Sequence, residues 1–311
     1  MLFRPAVEGD LDRLLGCVVD ESISWAHPER LLSFLESGNY RYDRIWLAVA
    51  DDGEILARAV WWSFADGDKP LALDCLYVHP SVDDRVGLAA ELLRRAHDAY
   101  GQAIEYHVFV TNGWRDNPKT AAAIAWRWKA AGHAGLTEEL ERLRYEWTAG
   151  PVPEPSDRLV FRGEDDDEVF VEAFRRVAVG TLDFHTRQAL VTMDALEQAR
   201  EDVRDYRSMR GDRSWWRLAY DKSGDLVGVA LPSANDGGPV VGYLGVMPEH
   251  RGHGYVDDLL GEITRVHAEH GVQQIRADTD SGNVPMARAF ERAGYHNFAI
   301  RLVLSPNPVN A

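Results

Sequence analysis

Cysteine is nearly absent: Cys17 and Cys75 are the only two in 311 residues. Two cysteines in so long a chain make no disulfide framework, so a reducing compartment, the cytoplasm, is expected. Long apolar runs are missing as well. No stretch reaches about 18 apolar residues, the length a membrane-spanning helix needs. The opening MLFRPAVEGD lacks the apolar core of a secretion signal. Positive charge is scarce, and the net charge is −16. That sign excludes nucleic acid and anionic membrane surfaces as main partners and leaves a small cationic ligand open. Lysine is the scarcer base, 4 against 30 arginines, a bias that reads as codon usage rather than phosphate binding. No Gly-Lys-Ser/Thr occurs, so a nucleoside-triphosphate loop is out.

What is present is a core-forming chain, 45% apolar and 27% charged, long enough for two domains. It is written twice. LFRPAVEGD at 2–10 matches VFRGEDDDE at 160–168, and LAVADDGEILARAV at 47–60 matches LAYDKSGDLVGVAL at 218–231. CLYVHP at 75–80 matches YLGVMP at 243–248, and AWRWKAAGH at 125–133 matches ARAFERAGY at 287–295. The four pairs keep their order at offsets between 158 and 171, the mark of a tandem duplication. Between the copies, TAGPVPEPSD at 148–157 suits a semi-rigid linker. Each copy reads as a strand, a helical stretch, a hairpin turning at Asp52-Gly53 or Ser223-Gly224, a further strand and an amphipathic helix. Another strand, a shorter helix ending near Gly132 or Gly294, and a last strand follow. The helical stripes Leu88, Leu92, Leu93, Ala96, Ala99 and Val256, Leu259, Leu260, Ile263, Val266 are expected in the core. Strands alternating with helices predict an α/β fold with a mixed sheet.

The stretch GVMPEHRGHGYVDDLLGEI at 245–263 carries the chemistry. Two glycines let backbone approach a ligand closely. A helix starting just after them aims free N–H groups at whatever lies there. Arg251 adds a fork suited to phosphate oxygens. A dinucleotide fingerprint fails on spacing, since Asp257 stands where the third glycine belongs. His250 and His253 have no companions at ligand spacing, so no metal is expected.

VMPEHRGHGYVDDLL followed by RADTDSGNVPMARAFERAGY resembles the two signature segments of the GNAT superfamily of acyl-CoA-dependent N-acyltransferases. Arg251, Gly254 and Val256 fall on the Arg/Gln-x-x-Gly-x-Gly/Ala pattern, with valine at its last small place. Asn283, Met286, Phe290, Gly294 and Tyr295 match the second segment. The resemblance covers most of 158–311 and reaches 1–150 through the repeat. It implies two tandem domains of α/β (α+β) type, each a mixed, mostly antiparallel sheet flanked by helices. Residues 1–150 would be a degenerate copy and 151–311 the acyl-CoA-binding domain. Acetyl-CoA is the implied donor and a small-molecule amine the acceptor, with a homodimer left open. Leu244, Gly245 and Val246 would pair with the pantetheine chain like an added strand. The N–H groups of Arg251, Gly252, His253, Gly254, Tyr255 and Val256 would hold the pyrophosphate, and Asn283 would steady the pantetheine.

The first copy departs. Aligned from Pro80 with Pro248, Asp83 stands for Arg251, Asp84 for Gly252 and Val86 for Gly254, a loop that repels phosphate. The tyrosine that many family members use as acid is Phe290 here and Trp128 in the first copy. Asp278, as a base working through water, and Tyr243, as proton donor, are the candidate catalytic residues; Asp280 lies beside Asp278. Acceptor contacts are expected from 180–213, with Trp61, Trp62, Trp215 and Trp216 as edge-of-core packing. The missing tyrosine keeps a second reading open, a non-catalytic acyl-CoA-binding or sensing protein.

Overall fold

The computed structural model describes residues 1–17, 23 and 27–307. The first copy supplies β1 (Leu2–Pro5), α1 (Leu11–Leu15), α2 (Pro28–Glu36), β2 (Ile45–Val49), β3 (Ile55–Trp62), β4 (Ala72–Val78), α3 (Arg85–Tyr100), β5 (Tyr106–Val110), α4 (Pro118–His133) and β6 (Leu136–Thr148). The second supplies β7 (Val160–Arg162), α5 (Asp167–Val177), α6 (Phe184–Thr192), α7 (Ala195–Ser208), β8 (Arg217–Tyr220), β9 (Leu226–Asn235), β10 (Gly238–Val246), α8 (Tyr255–Glu269), β11 (Gln274–Asp280), α9 (Val284–Arg292) and β12 (His296–Pro306). Among the described residues no helix is long and apolar enough to cross a membrane.

Two compact units result, Met1–Glu141 with Ala299–Ala311, and Arg142–Phe298. They cut across the sequence halves 1–150 and 151–311, because each copy's last strand closes the other unit. Residues Ile300–Leu304 of β12 pair antiparallel with β5. Residues Arg142–Thr148 of β6 pair antiparallel with β11.

Within each unit the hydrogen bonding repeats. In the first, β1–β2, β2–β3 and β3–β4 are antiparallel, and β4 meets β5 in parallel only at Leu73↔Tyr106. In the second, β7–β8, β8–β9 and β9–β10 are antiparallel, and β10 meets β11 in parallel only at Val240↔Arg276. The mixed, mostly antiparallel sheet is therefore present in both units. A register shift between Val240 and Tyr243 breaks the β9–β10 ladder just past the parallel contact, and such bulges re-aim a strand. Beyond Val240 the two parallel strands part.

The core follows the predicted stripes. Leu259, Leu260 and Ile263 of α8 are fully buried on one face of the second sheet, with Ala289 and Phe290 of α9. Phe170, Phe174 and Val177 of α5, with Ala199 and Val203 of α7, pack on the other face. In α3, Leu92, Leu93 and Ala96 are buried, while Ala99, at the helix end, is exposed. In the first unit α1 and α2 cover β2–β4 around Leu14, Leu31 and Leu47.

Candidate functional site

The parting of β10 from β11 opens onto the start of α8. Gly252 and Gly254 take φ values of 81° and 75°, a region closed to most side chains. Gly254 is the N-cap of α8 and offers no side chain to it. The helix start therefore lacks a side-chain cap, and the positive end of its dipole favours an anion. The first-turn carboxylates are compensated: Asp257 pairs with Arg292 at 2.7 Å, and Asp258 pairs with Arg158. Arg158 also donates to the carbonyls of His253 at 3.0 Å and Gly254 at 3.2 Å, holding the loop from below. Gly252, His253 and Gly254 are exposed, whereas Tyr255 and Val256 are half-buried.

Gly245 has a separate reason to be glycine. A side chain there would meet Val177 Cγ1 at 2.5 Å, so α5 can lie on β10 only because position 245 lacks a Cβ. Leu244 turns to the α8 side and Tyr243 to the α5 side. Asn283 caps α9, accepting the N–H of Met286.

The Arg251 side chain is placed otherwise than the sequence suggests. Its Nε donates to Val246 O at 3.2 Å. Nη1 donates to Val179 O at 2.7 Å and Gly180 O at 3.3 Å, and Nη2 to Val177 O at 2.7 Å. Of the five N–H donors on a guanidinium, one is left. In this arrangement the Arg251 side chain caps the end of α5 and spends its donors on backbone carbonyls.

Tyr243 stacks on Phe174 with centroids 4.2 Å apart and lies 5.6 Å from the Tyr206 ring. Burial raises its phenol well above the ordinary value, and Tyr206, Asp202 and Asp183 raise it further. It stays protonated at any physiological pH. Asp278 lies opposite Arg144 across β11–β6 and contacts it at 3.3 Å. Asp280 contacts Arg142 at 3.3 Å and accepts the Phe184 N–H at 2.6 Å, fixing the start of α6.

Two residues of α7 in this region escaped sequence reasoning. Asp202 is pushed up to about 6, by burial first and then by Asp183, Asp205 and Glu201, against the lowering effect of a hydrogen bond from Gln198. That bond is 2.8 Å long. Tyr206 is raised by burial, with Asp202 and Asp183 adding to it. The segment 180–213 was singled out as a whole; only the folded helix shows which of its carboxylates turns inward. The other candidates pack: Phe290 stacks on Tyr145 at 5.0 Å, Trp216 meets Phe170 at 5.2 Å, and Trp215 lies against His270 at 4.3 Å.

The first unit fills the equivalent places with its own atoms. Asp84 caps α3 and accepts the Gly87 N–H at 2.8 Å, so a carboxylate stands at the helix start. The cap is Asp84 rather than Val86, because the loop from Pro80 is two residues shorter than the loop from Pro248. Between the parted strands Arg127 of α4 is buried. It donates from Nε to Leu76 O and from Nη1 to Ala123 O, both at 2.9 Å. The matching residue of the second unit is Ala289.

Residues 184–295 match the profile of the Acetyltransferase (GNAT) family. Solved structures similar to the chain include a GCN5-related N-acetyltransferase from Sphaerobacter thermophilus, 20% identical over 97% of this chain and 94% of that one, with a TM-score of 0.57. The glucosamine N-acetyltransferase region of a fungal multi-domain GH3 β-N-acetylglucosaminidase is 13% identical over 97% of this chain and 38% of that one, at 0.53. A tandem GNAT protein from the clavulanic acid biosynthesis pathway is 17% identical over 97% of both chains, at 0.46. A search of curated proteins by sequence finds no match. The chain has the fold of the GNAT N-acetyltransferases, and its residues 184–295 are similar to that family's acetyltransferase domain.

Proposed function

We propose that the protein transfers an acetyl or other short acyl group from acyl-CoA to the amine of a small molecule, at a single site in the second unit. The observation that carries this is the uncapped start of α8, with Gly252 and Gly254 at positive φ, directly beyond the point where β10 and β11 part. Residues Leu244, Gly245 and Val246 are the strand segment proposed to face the pantetheine, with the Val246 carbonyl already accepting from Arg251 Nε. The N–H groups of Gly252 to Val256 fit the pyrophosphate. Asn283, the N-cap of α9, is the residue proposed to steady the pantetheine. Bound there, acyl-CoA supplies the activated acyl carbon.

The chain's own residues handle protons. An alkylamine is charged at neutral pH, its pKa being about 10.4, so a base must free its lone pair. Two carboxylates compete for that role, Asp278 and Asp202. Tyr243 keeps its proton at the phenolic oxygen and from there can donate a hydrogen bond to the leaving thiolate.

Calorimetry with acetyl-CoA on the intact chain should give one site, and thiol release with a panel of amines should detect turnover. No binding would refute the donor assignment; binding without release from any amine would favour a sensing protein. Tyr243→Phe should lower turnover by about 10²–10⁴-fold and leave acetyl-CoA affinity unchanged. If Asp202 is the base it acts ionised, so kcat/KM falls as pH drops below about 6, and Asp202→Asn abolishes that limb. If Asp278→Asn alone stops turnover, the base is Asp278.

A further inference from the structure

The acceptor side of the second unit hangs on few contacts. Helix α6 has no fully buried residue, so little apolar packing fixes it, and segments held this way open at low free energy. Its start is tied at one point by the Phe184 N–H on Asp280. The chain leading into it, residues 178–183, is tied by Arg251. That one guanidinium bridges the end of β10 (Val246 O), the end of α5 (Val177 O) and the two carbonyls that follow (Val179 O, Gly180 O). The corner conforms to it: Gly180 has φ 64°, and a Cβ there would stand 3.4 Å from Arg251 Nη1. A cation at the last carbonyls of a helix is favoured by the helix dipole. Its backbone, meanwhile, opens the loop that runs through Gly252 to Gly254. Arg251 therefore belongs to both places: main chain in the donor loop, side chain in the acceptor corner.

We infer that Arg251 is a positioning residue that couples the acyl-CoA loop to the acceptor corner at 178–183, so that filling the loop orders the approach to α6. The inference rests on the proposed seat of the pyrophosphate at 252–256. Its energetic content is that a loop fixed by phosphate fixes the Arg251 Cα, and with it the four-carbonyl bridge. Such couplings typically amount to about 5–150-fold in an equilibrium. Asp183, the N-cap of α6 and one of the charges acting on Tyr243 and Asp202, lies at the end of the tethered corner. Ordering the corner therefore sets the field around both groups.

Hydrogen–deuterium exchange on the full chain, with and without coenzyme A, tests this. In the wild-type chain coenzyme A should slow exchange at 252–256 and also at 178–184. Arg251→Ala should keep coenzyme A-dependent protection at 252–256 but lose the ligand-dependent protection at 178–184, with exchange there faster by about tenfold. Arg251→Lys keeps a positive charge beside any phosphate yet cannot span four carbonyls, and it should behave like Arg251→Ala. A variant that merely loosens the fold would speed exchange equally with and without ligand, which would overturn the coupling. So would a loss of coenzyme A affinity in Arg251→Ala that Arg251→Lys restores, with the corner unchanged, since the guanidinium would then serve the phosphate. Wild-type protection confined to 252–256 overturns the coupling and leaves the donor seat standing. Absence of protection at 252–256 overturns both.

Discussion

The two units share one plan and treat its central opening in opposite ways. In each, a pair of parallel strands touches once and then parts, and a helix begins beyond the gap. The second unit leaves that helix start without a side-chain cap and has Ala289 at the position matching Arg127. The first places the Asp84 carboxylate on the helix start and the Arg127 guanidinium on the carbonyl of Leu76. An anion and a strand-edge hydrogen-bond donor are the two things an acyl-CoA would bring to this fold. The first unit provides both from its own sequence.

The strongest way to break the comparison is to write the first unit's cap into the second. Gly254→Asp sets a carboxylate where two or so charge-assisted hydrogen bonds to phosphate are expected, each worth roughly 1.5–3 kcal/mol. Acetyl-CoA affinity should drop at least about 10²-fold. Aspartate is a good N-cap and tolerates positive φ better than most residues, so the thermal midpoint should hold. Calorimetry and a melting curve on the same sample decide. Unchanged affinity would mean that the start of α8 is not the phosphate seat.

The reverse change should be asymmetric. Arg127→Met empties the first unit's gap of its donor and leaves the buried Leu76 carbonyl unsatisfied, which costs about 1–3 kcal/mol. The urea midpoint should fall accordingly. Acetyl-CoA stoichiometry should stay at one, since Asp84 still occupies the helix start. A second binding site in this variant would show that the arginine alone closes the unit.

Much of this plan was legible in the sequence because it is periodic. The four repeated blocks, the hairpin turns and the α3 and α8 stripes declare themselves at fixed spacing, and the Arg-x-x-Gly loop marks the helix start. What was hidden depends on pairing and register. The alternation in 136–148 announces a strand but not that Arg142–Thr148 will run beside β11, since partners are chosen by distant residues. A gapless alignment set Val86 against Gly254, whereas a loop two residues shorter puts Asp84 at the cap. Arg127 against Ala289 is visible in the blocks, yet a helical arginine reads as surface until burial is known. The Arg251 fork pointed to phosphate on chemistry alone, and its carbonyl partners come from a helix end some 70 residues away. Asp202 is one of several acids in 194–205, and nothing in their spacing says which one is drawn inward.

Two carboxylates sharpen the comparison in the smallest energies. Asp10 in the first unit is held at about 2, chiefly by its hydrogen bonds from Arg4, with the Val7 N–H and Arg13 adding to this. The Arg4 bonds are 2.6 and 2.9 Å long and the Val7 bond 2.9 Å. Its folded value lies below the unfolded one, so its stabilisation is present above about pH 4 and is lost as pH falls toward 2, about 2 kcal/mol in all. Asp10→Asn should destabilise the protein at pH 7. Asp202 has the opposite sign. Its folded value of about 6 exceeds the unfolded one, so its contribution is fullest below about pH 4 and declines as pH rises through 6. Above that, the fold bears a half-buried charge with one amide donor, Gln198. Asp202→Asn should therefore stabilise the protein at pH 8, by about 1–2 kcal/mol after allowance for partial exposure, and leave it unchanged at pH 4. A carboxylate that weakens its own fold at working pH is what a group kept for chemistry looks like, whereas Asp10 is what a structural one looks like. Unfolding curves at pH 4 and pH 8 separate the two. If Asp202→Asn is destabilising at both, Asp202 is a structural residue like Asp10, and Asp278 is left as the base.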